Sequence, residues 1–77
     1  MTNEEIFNEI TNQVKSMKKG TSFTFGELLK EYKVEDFQTK LDLTNKLKKA
    51  LSSEIEIHPE DKDAFLGASF VFRYIKK

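Results

Sequence analysis

The chain has 77 residues, in which 13 Lys and Arg residues balance 13 Asp and Glu residues, with one His and no Cys. We expect a single domain spanning residues 1–77, and its seven Phe and two Tyr residues can close one core without a disulfide. The missing cysteine excludes a disulfide framework, a thiolate zinc site and a thiol nucleophile. No apolar run approaches the roughly 20 residues that cross a bilayer, and the N-terminus is acidic where a secretory signal is basic. We therefore expect a soluble cytoplasmic protein without a membrane partner.

The N-terminal segment has the pattern of an amphipathic helix. Thr2 and Glu5 have the spacing of a capping box, which predicts that the helix begins there. Lys18 and Lys19 suit the negative end of the helix dipole, and Gly20 supplies a residue that ends helices. The apolar stripe comprises Ile6, Phe7, Ile10, Val14 and Met17.

A short strand and a second helix are predicted next. Residues 21–24 are β-branched and alternating, which is typical of a strand. Thr24 and Glu27 repeat the capping-box spacing, and the apolar residues from Phe25 to Tyr32 then recur at helical offsets.

A third helix is predicted from about Phe37 to Ser52, capped by Asp36. A later start at Asp42 is the alternative. The predicted buried half comprises Phe37, Leu41, Leu43, Leu47, Ala50 and Leu51. The predicted polar half comprises Gln38, Thr39, Asp42, Asn45, Lys46, Lys49 and Ser53.

Two alternating segments predict a C-terminal antiparallel hairpin. Residues 54–58 alternate Glu and Ile, which predicts a strand with both Ile inward and both Glu outward, and Pro59 ends it. Residues 70–75 also alternate, which predicts a second strand with Phe70, Phe72 and Tyr74 on one face. A long acidic loop connects the two strands.

This element order predicts an α+β fold and matches a winged helix-turn-helix. That architecture has three helices, a short strand before the second helix, and a C-terminal hairpin whose loop is the wing. In helix-turn-helix proteins the later helix is presented to the DNA major groove.

The segment Gly20–Leu29, GTSFTFGELL, the Leu- and Lys-rich helix that follows and the C-terminal Phe72–Lys77 resemble a family of small winged-helix-like proteins. These proteins come from low-GC Gram-positive bacteria and their phages and are largely of unknown function. The resemblance covers about residues 18–77 and implies the winged-helix fold. The chain departs from the DNA-binding members in having an acidic loop where they have a basic wing.

Charge is unevenly distributed, which favours a small regulator that binds duplex DNA. Residues 15–53 contain nine Lys and five acidic residues, although the whole chain is neutral. Asn45 has the donor and acceptor pair that matches an adenine edge. The alternative is that these lysines only solvate a helix face. The candidate DNA-binding residues are Thr39, Asn45, Lys46, Lys48 and Lys49 on the third helix, with Lys18 and Lys19 at the end of the first.

The acidic loop supports a second hypothesis, a protein-interaction module such as a phage or mobile-element inhibitor or adaptor. Its partner would be another protein or a second copy of the chain, and no metal is expected because the loop lacks the spacing of a calcium site. The candidate partner-binding residues are Glu60, Asp61, Asp63, Phe65 and Leu66.

No enzymatic activity and no cofactor are expected. The single imidazole, His58, has no hydroxyl nucleophile at a suitable spacing, and the glycines are isolated rather than arranged in a phosphate-binding loop. The aromatic residues resemble a stacking platform for single-stranded nucleic acid only superficially, because the core needs their area. Those assigned to the core are Phe23, Phe25, Phe37, Phe70, Phe72 and Tyr74.

Overall fold

Three α-helices and a three-stranded antiparallel sheet make up the part of the chain that the structure describes, residues 1–61 and 68–77 of a computed structural model. This arrangement confirms the predicted α+β class. The elements are α1 (Asn3–Lys15), β1 (Ser22–Thr24), α2 (Phe25–Glu31), α3 (Phe37–Ala50), β2 (Ile55–Ile57) and β3 (Arg73–Lys76), with 3-10 turns at Pro59–Asp61 and Ser69–Val71.

Each helix begins at the predicted capping residue. The Thr2 hydroxyl accepts from the Glu5 backbone N–H at 3.1 Å, and the Glu5 carboxylate accepts from the Thr2 N–H at 3.2 Å. Thr24 and Asp36 accept from the backbone N–H three residues later, at 3.1 and 2.9 Å. These bonds satisfy amides that the first helical turn leaves without partners. The third helix therefore begins at Phe37, and the alternative start at Asp42 is wrong.

The first helix ends earlier than predicted. Its last residue is Lys15, and Ser16 caps it while its hydroxyl donates to the Asn12 carbonyl at 2.6 Å. Gly20 has a φ of 91° but lies in the turn that follows. Its N–H donates to the Lys76 carbonyl at 2.8 Å. The left-handed glycine therefore joins the turn to the sheet and does not end the helix.

Helix α2 ends in a Schellman motif built on a lysine. The Val34 N–H donates to the Leu29 carbonyl at 3.2 Å, and the Lys33 N–H donates to the Lys30 carbonyl at 3.0 Å. Lys33 occupies the left-handed position with a φ of 60°, where glycine is the usual residue. Val34 is buried and anchors the motif to the core.

Replacing Lys33 by glycine is expected to raise the free energy of unfolding by about 0.5–1 kcal/mol. The left-handed conformation costs an L-residue about 1–2 kcal/mol, and the entropy lost by glycine on folding offsets part of the gain. Urea denaturation of both proteins measures the difference. A less stable K33G protein would contradict the interpretation of this turn.

The sheet has the order β1-β3-β2, with β3 in the centre. The predicted hairpin is confirmed, because Ile55 pairs with Lys76 and Ile57 with Tyr74. The pairing of β1 with β3, which places Phe23 opposite Tyr74, was not predicted. The last strand starts at Arg73 rather than at residue 70, because residues 69–71 form a 3-10 turn instead of extended chain.

The core lies between the three helices and one face of the sheet. The Phe25 ring lies 5.4 Å from Phe23 and 5.1 Å from Tyr74, measured between ring centroids. No helix in residues 1–61 or 68–77 combines the length and apolar character that a bilayer crossing requires. The buried apolar residues are Ile6, Ile10, Val14, Phe23, Phe25, Leu28, Leu29, Val34, Leu43, Leu47, Leu51, Ile55, Phe70 and Tyr74.

Three predictions about burial are wrong. Phe37 and Ala50 are exposed, because the buried arc of α3 is narrower than half the helix and centres on Leu43, Thr44 and Leu47. Glu54 does not point fully into solvent. It is half-buried and forms an ion pair with the buried Lys76 on the neighbouring strand.

Candidate nucleic-acid interface

The side of α3 opposite its buried residues is open to solvent. Asn45, Lys46 and Lys49 are all exposed there, as predicted for a helix face that contacts a ligand. We call this surface the outer face of α3. It comprises Gln38, Asp42, Asn45, Lys46 and Lys49.

Lys46 and Lys49 stand on the edge of a cleft between α1 and α3. The cleft has a volume of about 560 Å³, and its apolar lining includes Phe7 and Leu43. Glu4 also lines it and is the one acidic side chain that does so among the described residues. Within residues 1–61 and 68–77 neither lysine forms an ion pair. No carboxylate of that part of the chain therefore neutralises either ammonium group.

Thr39 is hydrogen-bonded to Asp36, the residue that caps α3. Its hydroxyl donates to Asp36 Oδ2 at 2.9 Å, and its backbone N–H donates to the same oxygen at 2.9 Å. These two bonds, the backbone bond foremost, lower the pKa of Asp36. Thr39 thus positions the N-terminus of α3, and its hydroxyl is not a free base-reading group.

Asn45 is exposed and only partly engaged in hydrogen bonds to the described residues. Its Oδ1 accepts a long hydrogen bond of 3.4 Å from the Ser69 hydroxyl, and within residues 1–61 and 68–77 its amide NH₂ has no acceptor. One turn away, the Gln38 amide donates to Asp42 Oδ1 at 2.9 Å. The outer face of α3 therefore carries two side-chain amides and one carboxylate, all on the N-terminal side of its two lysines.

Lys48 lies on a different side of α3 from Lys46 and Lys49. It is half-buried, and its Nζ lies 5.9 Å from the centroid of the Tyr74 ring, which is a cation–π contact. It lines a groove against the sheet together with Ile55 and Ile57. The structure therefore separates Lys48 from the outer face of α3.

Lys18 and Lys19 lie in the turn between α1 and β1. The Lys18 carbonyl accepts from the Thr21 N–H at 3.1 Å and from its hydroxyl at 2.7 Å. Through Gly20 this turn is bonded to the end of β3. The contacts of the turn are with the sheet, so the structure does not join these two lysines to Lys46 and Lys49.

The acidic residues at the start of the hairpin loop are held by Arg73. Arg73 donates its backbone N–H to Asp61 Oδ2 at 2.7 Å and its Nε–H to the same oxygen at 3.2 Å, and its Nη2 donates to Glu60 Oε2 at 2.7 Å. We call these three residues the Arg73 cluster. Arg73 fixes the first part of the loop and cancels part of its charge, which disfavours these acids as a partner-binding surface. Asp63, Phe65 and Leu66, the other partner-binding candidates, lie outside the described residues.

The Arg73 side chain lowers the pKa of Asp61 and of Glu60, chiefly by donating hydrogen bonds to their carboxylates. Because a carboxylate with a depressed pKa stabilises the folded state only while ionised, this contribution is complete above its unfolded pKa. It is lost as the pH falls through the folded pKa.

Replacing Asp61 by asparagine is expected to lower the free energy of unfolding at pH 7. The deficit relative to the wild type should shrink as the pH falls below 3.8, the ordinary pKa of aspartate. The asparagine keeps one oxygen that can accept from the Arg73 N–H, but its NH₂ replaces the Oδ1 that accepts from Arg73 Nη2 at 3.2 Å. The change therefore removes the negative charge together with one hydrogen bond. Urea denaturation at pH 7 and pH 3 measures it. An equal deficit at both pH values would contradict the ion-pair interpretation.

Sequence reasoning missed Arg73, although the hairpin register contains the signal. The His58 N–H donates to the Arg73 carbonyl at 2.9 Å, so the arginine lies opposite a residue only two positions before Glu60. Within residues 1–61 and 68–77 no group of three His, Asp or Glu side chains is arranged to hold a metal ion.

No protein-family model, no curated protein and no solved structure matches this chain.

Proposed function

We propose that this protein is a winged helix-turn-helix module that binds duplex DNA as a small regulator. Helix α2, the turn at residues 32–36 and α3 form the helix-turn-helix unit, and the β2–β3 hairpin corresponds to the wing. The order of elements along the chain and the three-stranded antiparallel sheet are compatible with this architecture.

The observation that carries the proposal is the outer face of α3. A helix can enter the major groove when the side chains on one side are open to solvent, and the five residues of this face are exposed, although Ser69 contacts Asn45 at its edge. Lys46 and Lys49 would contact phosphates. Asn45 is suited to the N6 and N7 atoms of adenine, since its amide pairs with that donor and acceptor.

The charge balance sets the expected strength of binding. The chain is neutral overall, and Asp42 lies on the outer face of α3, so long-range attraction to DNA is weak. Attraction comes from a few local lysines. We therefore expect measurable affinity only at low salt for a single copy, and a second copy on an adjacent half-site would strengthen it.

Fluorescence anisotropy of a labelled random-sequence duplex across a salt series tests the proposal. With about two to four phosphate contacts, log K should fall linearly with log salt with a slope of about −2 to −4. Absence of binding at the lowest salt, or binding that does not change with salt, would overturn the proposal.

A further inference from the structure

Six aromatic residues were predicted to lie in the core, and Phe37 is the one of them that is exposed. It is the first residue of α3 and is 60% exposed, whereas Phe70 beneath it is 8% exposed. A large exposed ring at the start of a helix adds little to folding, because most of its area stays in water. The ring is therefore free to bury its area against a ligand.

The ring is nonetheless held in place. The Phe37 and Phe70 centroids lie 5.6 Å apart at an interplanar angle of 75°, which is the favoured edge-to-face arrangement. Phe70 is fixed in turn by the close approach of α2, where Gly26 lies against its backbone. An aromatic surface held by a buried neighbour loses little freedom when a ligand stacks on it.

A cation stands beside this ring pair. Lys40 Nζ lies 5.2 Å from the Phe70 centroid, so Phe37 and Lys40 both contact the same buried ring. Both belong to the first turns of α3. An exposed aromatic face next to an ammonium group matches a nucleotide, which offers a base to stack and a phosphate to neutralise. A purely apolar protein segment would gain nothing from the charge.

We propose that Phe37 and Lys40 form a stacking site for one unpaired base of a nucleic acid, with Phe37 against the base and Lys40 on its phosphate. This inference rests on the proposed function in that it places the site at the start of the same helix. It implies that the protein prefers a duplex with an unpaired nucleotide or a single-stranded overhang over a fully paired duplex.

Phe37→Trp provides a direct readout, because the chain contains no tryptophan. Stacking of a base on the introduced indole should quench its fluorescence when a duplex with a thymine overhang is added at low salt. Val71→Trp is the matched control, since Val71 is 54% exposed and follows Phe70 in the chain. Its fluorescence should change much less.

Affinity supplies the second measurement. Phe37→Ala should remove the preference for overhang over blunt duplex, a loss of about 5- to 100-fold, while Phe37→Tyr keeps it. Phe37 is exposed, so circular dichroism should show both variants folded. Unquenched fluorescence of the F37W protein with bound overhang DNA, or a preference that survives in F37A, would overturn the stacking site and leave duplex binding intact. Stacking of a single-stranded oligonucleotide without any blunt-duplex binding would support the site and overturn the proposed function.

Discussion

Replacing Lys46 and Lys49 together by glutamate is expected to weaken blunt-duplex binding by about tenfold or more at low salt. Each lysine stands exposed at the edge of the α1–α3 cleft with no ion-pair partner in residues 1–61 and 68–77. The substitution removes two phosphate contacts and adds repulsion. It should also flatten the plot of log K against log salt by about 2 in slope, since each lost contact changes the slope by roughly 0.9.

The matched control is Lys30→Glu with Lys77→Glu. Lys30 lies in the last turn of α2 and Lys77 at the C-terminus, and both are exposed and lie off α3. The control changes the net charge by the same amount, so it measures the effect of total charge alone. Equal losses in the two double variants would show that α3 does not form the interface.

The helix starts could be predicted because they depend on neighbouring residues. Thr2, Thr24 and Asp36 each accept a hydrogen bond from an amide three residues later, so the interaction is encoded within one turn. The end of α1 could not be predicted in the same way. A glycine was expected to end the helix, but Gly20 is bonded to the distant Lys76.

The solvent-exposed side of α3 was predicted correctly, but the residues at the edges of its buried side were not. Apolar spacing identifies the middle of the buried arc, whereas the residues at its edges depend on which neighbour packs there. Thr44 is fully buried, although its hydroxyl has no hydrogen-bond partner among the described residues, while Phe37 is exposed. Packing against neighbouring elements also separates Lys48 from Lys49. Lys48 lies on the side of α3 that the sheet covers, where it contacts Tyr74, and Lys49 does not.

The ion pairs of the hairpin depend on register, which residue types alone do not fix. Glu54 and Lys76 are 22 positions apart, and Arg73 and Asp61 are 12 apart. A shift of one residue would move each partner to the opposite face of the sheet. The sequence therefore offered the acids of the loop as a partner-binding surface, whereas Glu60 and Asp61 belong to the Arg73 cluster.

Replacing Gly26 by alanine is expected to destabilise the protein, although the same change inside a helix ordinarily stabilises it by about 1 kcal/mol. Gly26 is the second residue of α2, and a Cβ there would lie 2.9 Å from the Phe70 carbonyl oxygen and 3.5 Å from its ring. The atom in the way belongs to the backbone, so the 3-10 turn at residues 69–71 has to move. Overpacking of this kind costs about 1–3 kcal/mol, so after the gain in helix propensity the net loss of stability is up to about 2 kcal/mol.

Thermal unfolding decides the sign of the Gly26→Ala effect. For a chain of this size a net loss of 1 kcal/mol lowers Tm by about 4–8 °C. Lys30→Ala is the control in the same helix, and it should change the free energy of unfolding by less than about 0.5 kcal/mol because Lys30 is exposed. A G26A protein more stable than the wild type would mean that α2 and the 3-10 turn do not pack this closely. Because the Phe70 ring also contacts Phe37, that result would mean as well that Phe37 is not held rigidly in the stacking site.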